Sequence, residues 1–149
     1  MKVDPDGVLE DDGNAWDTEV EAKDDSAPHI LPGRYDAIVV KGHVHKYRWS
    51  DAKVSSRFVL TFEVINHQLA GTRLEFVCEL PKKVGSKSKF MRAWEVANGG
   101  PAKRRDRLKL NVFRSRMFVV EVGDVERDRR QVALPRPYSV VRAIVDRIA

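Results

Sequence analysis

Hydrophobic and polar residues alternate along two neighbouring stretches of the chain. In residues 58–64 and 74–80 every second position is apolar, and the two stretches have matched phase on either side of a polar, glycine-containing segment at 66–71. A period of two is typical of strands with one buried face. The pattern predicts an antiparallel hairpin whose inner face carries three phenylalanines, Phe58, Phe62 and Phe76.

Three further β-rich stretches surround this hairpin. Residues 35–49 form a long β-rich run in which Gly42 indicates a bulge or bend. Residues 117–125 predict a fourth strand, and residues 131–134 predict a short fifth strand before Pro135 and Pro137. These stretches bring the number of predicted strands to five.

Helical spacing of apolar residues occurs at two places. Phe90, Ala93, Trp94 and Ala97 follow the i, i+3, i+4, i+7 pattern within residues 88–98, and a Gly-Gly-Pro sequence follows at 99–101. The same spacing recurs near the end of the chain and predicts a short C-terminal helix; its residues are Val141, Ile144, Val145 and Ile148.

The predicted order is therefore β-β-β-α-β-β followed by a helix. Without β-α-β alternation, a parallel sheet is not expected. Five strands with one helix after the third predict a mainly β fold, a five-stranded Greek-key β-barrel of the OB type with one inserted helix and a short C-terminal helix.

Charge divides the chain into two parts. Of 27 basic and 22 acidic residues, the first 28 positions hold two and ten, a net charge of −8, which leaves +13 on residues 29–149. The acidic segment has too few apolar residues to compensate its ordering entropy, so residues 1–28 are predicted to be a disordered tail and 29–149 the folded domain. A positive field of this size attracts polyanions such as nucleic acid. The tail therefore either aids solubility or competes with nucleic acid for the basic domain, where Trp16 would imitate a base.

Several classes are not expected. No apolar run approaches the roughly 18 residues of a membrane span, and no secretory signal is visible at the N-terminus. The lone Cys78 precludes an internal disulfide and favours a reducing compartment such as the cytoplasm. Known catalytic motifs are absent, so neither an enzyme nor a cofactor is expected. His43 and His45 lack an evident third ligand, so no metal is expected either.

Cationic and aromatic residues alternate in the places where a nucleic acid would bind. Lys41, His43, His45, Tyr47 and Trp49 have one parity and should share a strand face, unless Trp49 caps the barrel end and Tyr47 packs at an edge. Arg57 and Arg73 should project opposite the phenylalanines, toward phosphates or toward neighbouring glutamates. Phe113 either stacks on a base or closes the barrel, with closure favoured. The remaining candidate phosphate contacts are Lys53, Lys82, Lys83, Lys87, Arg104, Arg105, Arg107, Arg114 and Arg116.

Residues 31–148 also resemble a known family. The similarity lies in the segments 31–35 (LPGRY), 58–64 (FVLTFEV), 71–74 (GTRL) and 138–141 (YSVV), in the helix after the third strand and in the strand 117–125. In these features the chain resembles OB-fold single-stranded-DNA-binding proteins of phages and mobile genetic elements. The resemblance implies a non-catalytic protein of DNA replication or recombination in the cytoplasm of a bacterial or phage-infected cell. The N-terminal position of the acidic tail differs from bacterial single-strand binders, which have an acidic C-terminal tip.

These observations predict sequence-tolerant binding of single-stranded DNA through base stacking and phosphate contacts. Replication or recombination proteins are expected as further partners, no membrane is expected, and homo-oligomer formation is left open. Two alternatives remain: an RNA-binding OB protein, and a non-catalytic protein-interaction module of a replication or phage assembly. A binder of neutral sugars would not explain the charge of +13.

Overall fold

The predicted order of the first six elements is observed. The computed structural model describes Trp16, Glu19, residues 27–128 and residues 130–149, without the side chains of Trp49 and His67. The predicted tail therefore lies outside the described residues, except for Trp16, Glu19 and positions 27–28. The strands are β1 (Gly33–Ser50), β2 (Lys53–Val64), β3 (Arg73–Glu79), β4 (Met117–Arg127) and β5 (Ala133–Arg147), and the helix α1 is Lys89–Asn98. Single 3₁₀ turns occupy His67–Leu69 and Leu110–Phe113.

The five strands form one antiparallel sheet in the order β3-β2-β1-β4-β5. The edge strands β3 and β5 approach each other, and α1 packs against both. Within the described residues no ladder joins these two edges, so the sheet is not the closed barrel that the sequence predicted. The part of the chain that the structure describes is mainly β, with one α-helix beside the gap between the edges.

The core lies between the inner face of the sheet and α1. The predicted hairpin residues Phe58, Phe62 and Phe76 are all buried there, together with Phe90 and Trp94 from the helix. Burial of each such side chain contributes about 1.5–3 kcal/mol relative to an exposed position. Alternation along β2 and β3 therefore fixes which side chains lie on the outer face.

Helix α1 begins and ends at residues with favourable capping chemistry. The Ser88 hydroxyl oxygen accepts a hydrogen bond from the Met91 N–H at 3.1 Å. At the other end Gly99 has a φ of 79°, and the N–H groups of Gly99 and Gly100 donate to the carbonyls of Val96 and Glu95. The predicted helix and its stop are confirmed.

The predicted C-terminal helix is wrong, because residues 133–147 form the continuous strand β5. Two of the three register shifts against β4 insert Arg142 and Val145 as extra residues. Each inserted residue lengthens the spacing of inward positions from two to three, so Val141 and Ile144 both face the core. Two β-bulges therefore imitate helical periodicity. The prolines at 135 and 137 do not end the strand, since an edge strand tolerates residues that cannot donate to a ladder.

The first described residues of the domain are attached to β5. The Ser139 N–H donates to the Pro28 carbonyl at 2.9 Å, and the Ile30 N–H donates to the Ser139 hydroxyl at 2.8 Å. The His29 Nε2 lies 3.1 Å from an Asp124 carboxylate oxygen. These bonds connect the chain entry to the edge of the sheet. In the part of the chain that is described, no helix is long and apolar enough to cross a bilayer.

Candidate nucleic-acid interface

Four residues of β1 form a row on the outer face of the sheet. The register pairs His45 with Arg57 and His43 with Val59, and antiparallel partners project to the same side. The intervening β2 residues, Phe58 and Leu60, point into the core. The row therefore faces outward, as the sequence predicted; we call it the outer row, and it consists of Lys41, His43, His45 and Tyr47.

A β-bulge places this row on the outer face. Val39 faces the core opposite Phe62, and the register then shifts by one residue so that Lys41 lies opposite Thr61. Val40 is the extra residue. Without this shift, Lys41 would share the inward parity of Val39. The sequence predicted a bulge at Gly42, and the structure places it two residues earlier.

Two aromatic rings lie next to each other in the outer row. The His45 and Tyr47 rings are almost parallel, with 14° between their planes and 6.5 Å between their centroids. The Arg57 guanidinium carbon lies 4.6 Å from the Tyr47 ring centroid. The Tyr47 hydroxyl donates to the carboxylate oxygens of Glu79 at 3.0 and 3.1 Å. Tyr47 is thus half-buried and held in orientation, whereas His45 is exposed.

The two arginines of the hairpin both contact glutamates. The Arg57 Nε donates to Glu79 at 3.3 Å, and the Arg73 Nε donates to Glu63 at 3.4 Å. As predicted, both project from the face opposite the phenylalanines. Of the two roles that the sequence left open, the structure shows pairing with carboxylates. Such largely exposed pairs contribute at most about 1 kcal/mol each, so they hold the arginines only weakly.

The tip of the β1–β2 ribbon carries Trp49 and Lys53. The backbone of Trp49 belongs to β1 and falls within the register shift between Arg48 and Ser50. Its side chain is outside the described residues, so its stacking role stays a prediction. Lys53 begins β2 and is exposed.

Two connections carry most of the remaining candidate cations. The segment between β3 and α1 exposes Lys82, Lys83 and Lys87, and the segment after α1 exposes Arg104, Arg105 and Arg107. Arg104 is paired with the Asp106 carboxylate at 2.8 Å. The two connections border neighbouring depressions: one is lined by Lys82, Lys83 and Arg105, the other by Lys103, Arg104, Arg107 and Lys109.

Phe113 belongs to the core and must be removed from the candidate contacts. It is 1% exposed, and its ring centroid lies 5.2 Å from that of Phe58 and 6.5 Å from that of Phe90. A base has no access to its ring, so its role is closure of the core. Of its neighbours, Arg114 is exposed, and Arg116 is half-buried with its carbonyl accepting the Val39 N–H at 3.0 Å.

A groove that sequence reasoning missed adjoins the outer row. It lies between β1 and the 3₁₀ turn Leu110–Phe113 and has a volume of about 650 Å³. Its lining includes Gly42, Asn111 and Ser115. The only sequence signal for it is Gly42 within a β-rich run, which by itself indicates only a bend. We call it the Gly42 groove.

Two groups, one on α1 and one on β3, have shifted pKa values. Burial lowers the pKa of Lys89, whose ammonium donates to the Val77 carbonyl at 2.8 Å and lies 4.7 Å from the Phe76 ring centroid. Burial also raises the pKa of the Cys78 thiol to about 11. Lys89 therefore packs against the hairpin, and Cys78 is a core residue.

Comparisons with known proteins do not assign the chain to a family. No protein-family model matches the chain, and no curated protein matches it. Within the described residues, no group of three or more His, Cys, Asp or Glu side chains is arranged to hold a metal ion.

Proposed function

We propose that this chain is a sequence-tolerant single-stranded-DNA-binding protein of replication or recombination, built on an OB-type barrel that is partly open. The strand order β3-β2-β1-β4-β5 with a helix between β3 and β4 supports this assignment. OB folds are five-stranded, partly open Greek-key barrels that bind oligonucleotides and oligosaccharides. The fold is therefore compatible with a polymer laid across one face of the sheet.

The outer row is the observation that carries the proposal. It combines an exposed imidazole ring, a phenol ring fixed by Glu79, and the ammonium group of Lys41 on one strand face. Aromatic rings stack on any base, because every base has a π face, and this makes binding tolerant of sequence. We expect successive bases to stack on the rings of the outer row, and on Trp49 beyond them.

Charge supplies the second part of the proposed mechanism. The net charge of +13 on residues 29–149 attracts a polyanion, and lysines and arginines of the two basic connections lie exposed for phosphate contacts. Neutral sugars would leave this charge unexplained. A strand of nucleic acid would use both the charge and the rings.

The function is tested by titrating labelled oligo-dT and following its fluorescence anisotropy. Replacing His45 with Ala or Tyr47 with Leu removes one stacking ring, so each variant should bind with a Kd about 5- to 150-fold higher, equivalent to about 1–3 kcal/mol per base. Tyr47→Phe is the matched control, since it keeps the ring and removes only the hydroxyl bonded to Glu79. Its affinity should stay close to that of the wild type.

Three outcomes would contradict the proposal. Equal affinity of the wild type and both ring variants would show that the outer row does not contact the bases. Much tighter binding of a matched oligo-U would favour an RNA binder that reads the 2′-hydroxyl. Absence of oligonucleotide binding, together with stoichiometric binding to a replication or phage protein, would favour a protein-interaction module.

A further inference from the structure

The Gly42 groove lies where β1 separates from β4. The last β1–β4 pair joins Ile38 to Met117, and from Lys41 onward β1 pairs only with β2. In an antiparallel ladder alternate residues direct their N–H and C=O groups away from the partner strand. The open edge of β1 therefore offers backbone donors and acceptors toward the 3₁₀ turn Leu110–Phe113, which forms the opposite wall.

The groove has an apolar floor with no side chain projecting from Gly42. Phe58, Leu60 and Phe113 form its buried base. A Cβ at Gly42 would lie 3.1 Å from the Leu60 Cδ2, so any larger residue would occupy the space. The volume of about 650 Å³ falls within the range of about 300–1,000 Å³ that is usual for small-molecule sites. A planar, mostly apolar group fits such a floor.

Polar groups at the rim suit the edge of a nucleobase. Asn111 and Ser115 line the groove, and their side chains form no hydrogen bond with any residue that the structure describes. An Asn amide both donates and accepts, as the Watson–Crick edge of a base requires. Together with the open edge of β1, these groups offer partners for a base without demanding one sequence.

The charge around the groove favours a polyanion. Lys41 and Arg114 lie at the rim, and no acidic residue is part of the lining that the structure describes. Leu110 and Asn111 also line the two neighbouring depressions, so the groove continues into the surfaces bordered by the basic connections. A nucleic acid strand entering it would remain next to cations.

We propose that the Gly42 groove binds one unstacked nucleobase of the same strand whose other bases stack on the outer row. Lys41 and His43 belong to both surfaces, so the strand passes from one to the other over the bulged segment of β1. Lys41 and Arg114 hold the phosphates on either side of the inserted base. This inference rests on the proposed function and adds a second contact surface to it.

The first test fills the groove. Gly42→Val places a β-branched side chain in the groove and suits a strand. Its Cβ would lie 3.1 Å from the Leu60 Cδ2 and 3.9 Å from both the Phe58 Cε1 and the Val59 carbonyl oxygen, so the end of the Leu60 side chain must shift by a few tenths of an ångström. We expect its Kd for oligo-dT to rise about tenfold, comparable with the loss of one bound base. Gly85→Val is the matched control, because a Cβ at Gly85 meets nothing within 4 Å. Arg114→Ala provides a second variant at an exposed position. The slope of its log affinity against log salt concentration should be smaller by the amount of one phosphate contact.

The second test uses the wild-type chain and needs no substitution. An oligo-dT containing 4-thiothymine should cross-link under light to peptides from both β1 and residues 110–115. Cross-links confined to the outer row, with Gly42→Val binding as tightly as Gly85→Val, would overturn the groove proposal while leaving single-strand binding intact. A wild type that binds no oligo-dT would instead defeat the proposed function itself.

Discussion

At the scale of the residue, Glu79 pairs with Arg57, the cation next to the two aromatic rings of the outer row. Its carboxylate accepts hydrogen bonds from both Tyr47 and Arg57. The positive charge of Arg57, which lies over the Tyr47 ring, is therefore balanced by the negative charge of Glu79. A carboxylate beside a phosphate-binding surface opposes the ligand by like charge. On the proposed function, Glu79 therefore holds Tyr47 in place at a cost in attraction for DNA.

Glu79→Gln should accordingly tighten binding of oligo-dT. Glutamine keeps an acceptor for Tyr47 and removes the negative charge, so the Kd at low salt should fall about two- to fivefold, as expected for one nearby charge in water. Glu63→Gln is the matched control, because Glu63 pairs with Arg73 on the same face and lies opposite Ile38, away from the rings of His45 and Tyr47. Equal effects of the two substitutions would show that only net charge matters.

Because the Cys78 thiol is buried, the fold should become less stable at high pH. The folded-state pKa of Cys78 is raised by burial from 9.0 to about 11, so its thiol stays protonated in the fold while the unfolded chain releases the proton above pH 9. The contribution of the buried thiol to the free energy of unfolding is fully present below pH 9. It is lost as the pH rises through 11, which lowers the free energy of unfolding by up to about 3 kcal/mol.

Denaturant unfolding between pH 8 and 11 measures this contribution. Cys78→Ala lacks the thiol and provides the baseline, because the lysines and tyrosines that titrate in the same range are common to both proteins. The difference in unfolding free energy between them should shrink across pH 9–11. A constant difference would place the thiol in contact with solvent.

At the scale of the element, β5 shows why the sequence was misleading at the C-terminus. Val141, Ile144 and Val145 follow helical spacing, and nothing in their local pattern distinguishes a helix from a strand with two bulges. The distinction comes from pairing with β4, a contact across the sheet that periodicity does not encode. By contrast, the β2–β3 hairpin and α1 were predictable, because their uninterrupted periods and end signals are local.

Helix α1 yields a prediction at its C-terminal end. Gly99 has a φ of 79°, and a Cβ there would lie 2.9 Å from the Arg147 guanidinium, which itself donates to the Ala97 carbonyl. Gly99→Ala should therefore lower the unfolding free energy by about 1–2 kcal/mol, the usual cost of a left-handed conformation for a residue with a Cβ.

Urea denaturation of Gly99→Ala beside Gly85→Ala measures that effect. Gly85 is outside the positive-φ region and has open space at its Cβ position, so its substitution should leave stability unchanged or slightly increased. Similar midpoints for the two variants would mean that the end of α1 does not require glycine.

At the scale of the whole molecule, the outer row could be predicted from the sequence, whereas the adjoining Gly42 groove could not. Parity placed Lys41, His43 and His45 on one face, because alternation along a strand is a local property. The Gly42 groove arises between β1 and a turn some 70 residues later, so no pattern within either segment announces it. The burial of Phe113 likewise depends on Phe58 and Phe90, which are distant in the chain.

The charge of the molecule predicts how binding depends on salt. If about four phosphates are neutralised, a slope of about −0.7 per contact gives about −2.8 in total, so affinity should fall about 50-fold between 50 and 200 mM salt. Titrations at four or five salt concentrations measure this slope. A flat response would mean that the net charge of +13 on residues 29–149 takes no part in binding.

The most direct test of the central claim, that unpaired bases lie on the aromatic face of β1, is tryptophan fluorescence during titration with oligo-dT. Trp94 is buried and donates to the Lys109 carbonyl at 3.0 Å, so no base can stack on its ring. Trp16 and Trp94 are present in both the wild type and Trp49→Ala, so any response of theirs is common to the two proteins. We predict saturable quenching in the wild type that is largely lost in Trp49→Ala. No quenching in the wild type, or the same quenching in both proteins, would contradict the account.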